Sequence, residues 1–132
     1  MKKKLLLLFV VIVTIALSAS AYFNYSCDFS GKVGSYPVVG NFELGTTGEI
    51  WGIYGYKKNG KNPKSMLELT GEWTSSSSNK FKMNMVEYSD GRATGRWNVV
   101  YNSSTRKMTG TMTTNGKTYN VNITTRNISI MN

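Results

Sequence analysis

The stretch KMTGTMTTNGKTYNVNIT, residues 107–124, carries the pattern of two strands and the turn between them. Tyr119, Val121 and Ile123 alternate with polar residues, which is the period-two pattern of a strand with one buried and one exposed face. The dipeptide Asn115-Gly116 separates the two runs, and Asn-Gly is the strongest short-range signal for a tight hairpin. The stretch therefore predicts an antiparallel hairpin.

The same alternation recurs along the chain, for example at Phe81, Met83 and Met85, and Asp90-Gly91 offers a second tight turn. Beyond residue 21 no segment shows a helical period. Candidate strands lie at 23–31, 36–44, 49–57, 64–73, 79–88, 93–101, 106–114 and 117–125. Short connections make neighbouring strands antiparallel. The sequence predicts an all-β, antiparallel up-and-down meander of about eight strands that forms a closed or nearly closed barrel.

A nearly repeated string supports closure of the sheet. It occurs as TGEW (70–73), TGRW (94–97) and TGTM (109–112), and each copy places a glycine two positions before a large residue on the same face. An inner-face glycine leaves room and permits a sharp bend, which a small barrel needs. We interpret the string as barrel geometry. The alternative is a binding motif in which the tryptophans contact a ligand.

The N-terminus has the layout of an export signal. Three lysines precede an apolar run from Leu5 to Leu17, and Ala19-Ser20-Ala21 fits a signal peptidase site. The run is too short for a typical spanning helix. We predict a signal helix in residues 1–21, a single domain over 22–132 with no spanning segment, and a secreted or periplasmic location. An uncleaved anchor is the alternative.

The mature chain is basic. Three of the 16 basic residues and none of the 7 acidic ones lie in the signal, which leaves 13 against 7, a net charge of +6. The one dense run, KKNGKNPK (57–64), is typical of a solvated loop. Because no nucleic-acid recognition motif accompanies these charges, we expect no nucleic-acid partner.

The sequence lacks the residues that several kinds of catalytic and metal site require. The chain contains no histidine and a single cysteine, Cys27, so histidine-based triads and thiolate metal sites are excluded. No glycine-rich nucleotide loop is present. We expect no enzyme activity, no cofactor and no metal. Glu87 continues the inner-face pattern of its strand, which places it at a barrel mouth beside a basic partner. Cys27 is expected to be a buried thiol, with lipidation or an intermolecular disulfide as alternatives.

Aromatic and basic residues supply the candidate ligand or partner surface. The segment EIWGIYGYKK (49–58) has aromatics on both strand faces, so its outer face is covered by the N-terminal segment or by a partner. Aromatic rings provide stacking area and basic side chains contact anions. The candidate residues are Trp51, Tyr54, Tyr56, Trp73, Trp97, Lys57, Lys58, Arg92 and Arg96.

Four motifs carry a resemblance. The strings GIYGYKKNG (52–60), LELTGEW (67–73), MVEYSDGRATGRW (85–97) and TGTM resemble those of short exported bacterial all-β proteins, over residues 49–125. The Gly-x-Trp strings and the meander also resemble the avidin and lipocalin barrels. The resemblance implies the fold alone.

The expected function is that of an exported, non-enzymatic binding protein for a protein, a glycan or a small apolar ligand. The alternative is a structural or surface-assembly protein that forms oligomers through a strand edge or Cys27.

Overall fold

The computed structural model describes residues 23–130, all of which belong to strands or to the connections between them. The strands are β1 (Phe23–Val33), β2 (Tyr36–Gly45), β3 (Glu49–Tyr56), β4 (Leu67–Ser77), β5 (Lys80–Ser89), β6 (Arg92–Asn102), β7 (Lys107–Thr114) and β8 (Lys117–Ile130). The predicted signal helix, residues 1–21, lies outside this range. Over residues 23–130, no helix has the length and apolar character needed to cross a membrane.

The eight strands form a closed meander barrel. Each strand pairs antiparallel with the next, and β8 returns to pair with β1. The predicted all-β meander is confirmed, and the barrel is fully closed. Because every strand is paired on both sides, the structure offers no unpaired strand between residues 23 and 130 for edge-to-edge association.

The predicted tight turns are confirmed. Asn115 and Gly116 have φ values of 51° and 74°, and Asp90 and Gly91 have 51° and 79°. Positive φ at both central residues matches the right-handed twist of a hairpin. Both connections contain two residues, so they fix the register of the strands that they join.

The bounds of β4 differ from the prediction of 64–73. Residues 64–66 belong to the preceding loop, and the serine run beyond Trp73 extends the strand to Ser77. Ser75 pairs with Phe81 and Ser77 with Lys80. Backbone pairing with β5 therefore overrides the turn preference of serine.

The middle of the barrel is packed. Phe29 stacks on Phe42 with ring centroids 4.5 Å apart, and Leu69 and Trp97 are fully buried. At Gly71 a Cβ atom would overlap the carbonyl oxygen of Asn84 on the neighbouring strand. Only glycine permits such close backbone approach, which supports the interpretation of the repeated string as barrel geometry.

The two ends of the barrel carry different connections. We call the end with connections 34–35, 57–66, 90–91 and 115–116 the loop end. The opposite end, which we call the terminal end, carries connections 46–48, 78–79 and 103–106. Phe23 and Ile130 also lie there, since β1 and β8 run antiparallel.

Candidate functional site

A pocket of about 350 Å³ lies in the barrel mouth at the terminal end. We call it the apolar pocket. Strands β1, β2, β4, β5, β6 and β8 contribute to its wall, mostly with inner-face side chains, because alternate residues of each strand point into the barrel. Its lining residues are Tyr25, Ser26, Cys27, Leu44, Trp73, Phe81, Met83, Tyr101, Ser103 and Ile128.

Three aromatic rings form one side of the apolar pocket. Trp73 meets Phe81 edge to face with centroids 5.6 Å apart, and Phe81 lies 6.5 Å from Tyr101. The Trp73 Nε1–H donates to the carbonyl oxygen of Gly45 at 2.8 Å. The Tyr101 hydroxyl bonds the Thr125 hydroxyl at 2.9 Å. The indole and phenol therefore have intramolecular partners for their polar atoms, and their rings supply an apolar surface.

Cys27 forms part of the same wall. It is buried and makes no disulfide with another described residue. Burial, and next the negative charge of Asp28, raise the pKa of its thiol to about 11, against a smaller lowering by a backbone hydrogen bond at Phe42. The thiol is therefore protonated at neutral pH and a poor nucleophile. The arrangement fits binding better than covalent chemistry.

A buried carboxyl group near the loop end accepts hydrogen bonds from side chains of two strands. Glu87 is 5 % exposed and accepts hydrogen bonds from the Tyr54 hydroxyl, from Thr94 Oγ1 at 2.8 Å and from Trp97 Nε1 at 3.4 Å. We call these four residues the Glu87 cluster. Its donors are neutral groups from β3 and β6, whereas the sequence led us to expect a basic partner. Hydrogen bonds replace a countercharge around this buried acid.

A second tyrosine, Tyr56, extends the Glu87 cluster outward. The Tyr54 and Tyr56 hydroxyls lie 3.3 Å apart. Burial, and next the hydrogen bond to Glu87, raise the pKa of Tyr54. Burial also raises the pKa of Tyr56. Both phenols therefore remain neutral at physiological pH, and neither offers an acid or base that titrates near neutrality.

The candidate residues do not gather in one site. Trp97 and Tyr54 meet edge to face at 5.0 Å, but both are fully buried. Trp73 lines the apolar pocket at one end, and Tyr56 lies at the other. Trp51 lies on the outer wall, where its Nε1–H donates to Glu68 at 2.7 Å.

Three of the four candidate basic residues lie at the loop end, and Arg96 lies farther along β6, beside Trp97. Lys57 is half-buried, and Lys58 is exposed in the same connection. Arg92 and Arg96 are exposed on β6. These placements separate the basic residues from Trp73, which lies at the terminal end.

Sequence reasoning missed most of the apolar pocket. Leu44, Phe81, Met83 and Tyr101 line it but were not among the candidate residues. Three of them belong to the alternating inner faces of β5 and β6, so the period-two pattern does identify the face. The pattern does not tell which residues lie at the mouth, because that depends on the stagger of the closed barrel.

Within residues 23–130, no three metal-ligating side chains of the His, Cys, Asp or Glu type cluster together. No protein-family model, curated protein or solved structure matches the chain. Any function assigned to this barrel therefore has to be argued from its own geometry.

Proposed function

We propose that this protein is an exported, non-enzymatic barrel that binds a small apolar ligand in the apolar pocket. The proposal rests on one observation, which is that the aromatic side chains of the pocket wall have hydrogen-bond partners within the protein. Trp73 and Tyr101 have intramolecular partners for their polar atoms, which leaves ring surface toward the pocket. Water gains few hydrogen bonds against such a wall, so an apolar ligand that replaces it is favoured.

The size of the pocket bounds the ligand. A volume of about 350 Å³ lies at the lower end of the usual range for small-molecule sites. At about 30 Å³ for each water-sized unit, it accommodates about 12 non-hydrogen atoms. A ligand of that size, such as one ring with a short aliphatic chain, reaches roughly micromolar affinity at about 0.7 kcal/mol per non-hydrogen atom, which lies between the usual value for drug-sized ligands and the ceiling for very small ones.

The absence of ionic side chains among the lining residues also limits the charge of the ligand. None of the lining side chains named above is ionic, and the Cys27 thiol has a pKa of about 11. A charged ligand would lose its hydration without gaining a countercharge. We therefore propose a neutral ligand.

The test uses the neutral fluorescent probe 1-naphthylamine, which has about 11 non-hydrogen atoms and whose emission shifts to shorter wavelength in apolar surroundings. We expect saturable binding to one site, with a Kd of roughly micromolar. Leu44→Trp places a large ring in the pocket wall and should weaken binding at least about tenfold. Val100→Trp is the matched control, because Val100 is exposed. It should leave the Kd unchanged.

Thermal unfolding of both variants shows whether each is folded under the binding conditions. Equal Kd values in the wild type and a folded Leu44→Trp variant would place the probe elsewhere and refute the proposal. Absence of saturable binding to the wild type would refute it as well.

A further inference from the structure

Two further cavities lie at the opposite, loop end of the barrel. One of about 520 Å³ follows the β3–β4 connection, and we call it the lysine groove because Lys58, Lys61 and Lys64 line it. The other, of about 350 Å³, is walled by Tyr36, Tyr56 and Tyr119, and we call it the tyrosine cup. Tyr56 lines both cavities, so the two are neighbours that share its side chain as a wall.

The connection that forms the lysine groove has a defined backbone. Lys58 and Lys61 exchange backbone hydrogen bonds of 3.3 and 3.0 Å around Asn59 and Gly60, which have φ values of 53° and 74°. This is a two-residue hairpin. A Cβ atom on Gly55 would come within 2.5 Å of Pro63, so the connection lies directly against β3. Lys58 and Lys61 therefore flank the turn of a folded hairpin, and Lys64 follows in the segment beside Pro63.

The groove carries positive charge without acids nearby in the chain. Residues 57–67 include four lysines and no acidic residue. Glu68, the next acid along the chain, accepts the hydrogen bond of Trp51 on the outer wall. Clustered charge of one sign around a concave surface focuses the electric field and attracts ligands of the opposite sign. The groove therefore favours an anion.

The tyrosine cup adds exposed ring surface beside this charge. Tyr36 is 56 % exposed and Tyr56 is 36 % exposed, and their rings meet edge to face at 6.1 Å. Contiguous exposed aromatic surface of this kind is typical of a contact surface. A ligand that suits both cavities needs a flat apolar face and negative charges within one molecule.

We propose that the tyrosine cup and the lysine groove together bind an anionic oligosaccharide. The C–H face of a sugar ring packs on tyrosine rings, and its carboxylate or sulfate groups lie against the lysines. Asn59 and Asn62 supply amide donors and acceptors for hydroxyl groups. The charged groups that line the groove are lysine ammonium groups, which act as compact point charges for carboxylate or sulfate oxygens. This site is separate from the apolar pocket and does not depend on it.

The test measures binding of hexagalacturonate by calorimetry at low salt, with neutral maltohexaose as the uncharged comparison. We expect hexagalacturonate to bind and maltohexaose not to bind. Affinity should fall as salt rises, since the attraction is screened. Lys58→Gln/Lys61→Gln/Lys64→Gln should weaken binding by about tenfold or more, because each exposed ion pair contributes a few-fold.

A matched control separates a site from general charge. Lys80→Gln/Lys82→Gln/Lys107→Gln removes the same charge from exposed positions on strands that start at the terminal end. It should change the affinity by less than about twofold. A further variant, Tyr36→Ala, removes ring surface without changing charge and should weaken binding at least several-fold.

Three results would overturn the proposal. One is an equal loss of affinity in the two lysine variants, which would mean that only net charge matters. Another is tighter binding of a single-stranded oligonucleotide of matched charge, which would assign the surface to nucleic acid. The third is the absence of hexagalacturonate binding at millimolar concentration.

Discussion

At the terminal end the aromatic side chains direct their polar atoms into the protein, whereas at the loop end the tyrosine hydroxyls form a chain that ends on a buried carboxylate. Trp73 and Tyr101 bond a backbone carbonyl and a threonine hydroxyl, both neutral acceptors. Tyr54 instead donates to Glu87. The same strands thus build an apolar mouth at one end and a polar, basic-rimmed mouth at the other.

A packed layer separates the two mouths. Trp97 is fully buried and touches both Tyr54 and Glu87. Because interiors are close-packed, a ligand at one end does not reach the other. The difference between the ends shows that a small filled barrel can carry separate cavities at its two mouths rather than a single through-going one.

The largest expected change in the free energy of unfolding comes from creating a cavity in the packed layer. Trp97→Ala should lower the free energy of unfolding by about 3–5 kcal/mol, because it creates a cavity in the middle of the barrel. Trp51→Ala is the matched control on the outer wall, where the indole is half-buried. It should cost about 1–2 kcal/mol, for one hydrogen bond and partial burial. Urea denaturation measures both, and equal losses would contradict the separation of the ends by a packed core.

The alternating pattern predicted the fold well because one face of each strand is buried. All three inner-face residues of β8 that the period-two pattern identified, Tyr119, Val121 and Ile123, face the interior of the barrel. The tight turns were equally predictable, since Asn-Gly and Asp-Gly tolerate positive φ.

The contacts across the interior were not predictable. Tyr54 on β3 meets Glu87 on β5, although β3 and β5 are not neighbours in the sheet. Periodicity assigns each side chain to a face but does not give its height in the barrel. Strand tilt and stagger decide which inner residues meet, and no short motif encodes them.

A smaller difference in the free energy of unfolding is expected between variants of Tyr54, at the loop end, and Tyr101, at the terminal end. Tyr54→Phe removes a hydrogen bond to a carboxylate and should cost about 1.5–3 kcal/mol, because bonds to ionic acceptors are the stronger ones. Tyr101→Phe removes a bond between two neutral hydroxyls at the terminal end and should cost about 1 kcal/mol. Chemical denaturation at neutral pH compares them. A larger cost for Tyr101→Phe would show that the Glu87 cluster is not the stronger of the two networks.

The smallest effect appears only at alkaline pH. Burial, and next Glu87, raise the pKa of Tyr54 in the folded state, whereas an unfolded tyrosine ionises near pH 10. A raised folded-state pKa contributes stability that is fully present below about pH 10 and is lost as the pH rises further, because the unfolded chain then gains from ionisation. Between pH 9 and pH 11 this loss amounts to about 1.4 kcal/mol for one fully buried phenol.

The Tyr54→Phe variant isolates that loss. Wild-type protein should lose about 1.4 kcal/mol more stability than Tyr54→Phe between pH 9 and pH 11, as measured by urea denaturation at each pH. Tyr101→Phe controls for removal of a buried tyrosine at the terminal end. If Tyr54→Phe and wild type lose stability in parallel, Tyr54 ionises in the folded protein as readily as in the unfolded chain. The buried hydroxyl of Tyr54 would then not distinguish the loop end from the terminal end. The difference between the two ends would rest on their exposed residues alone.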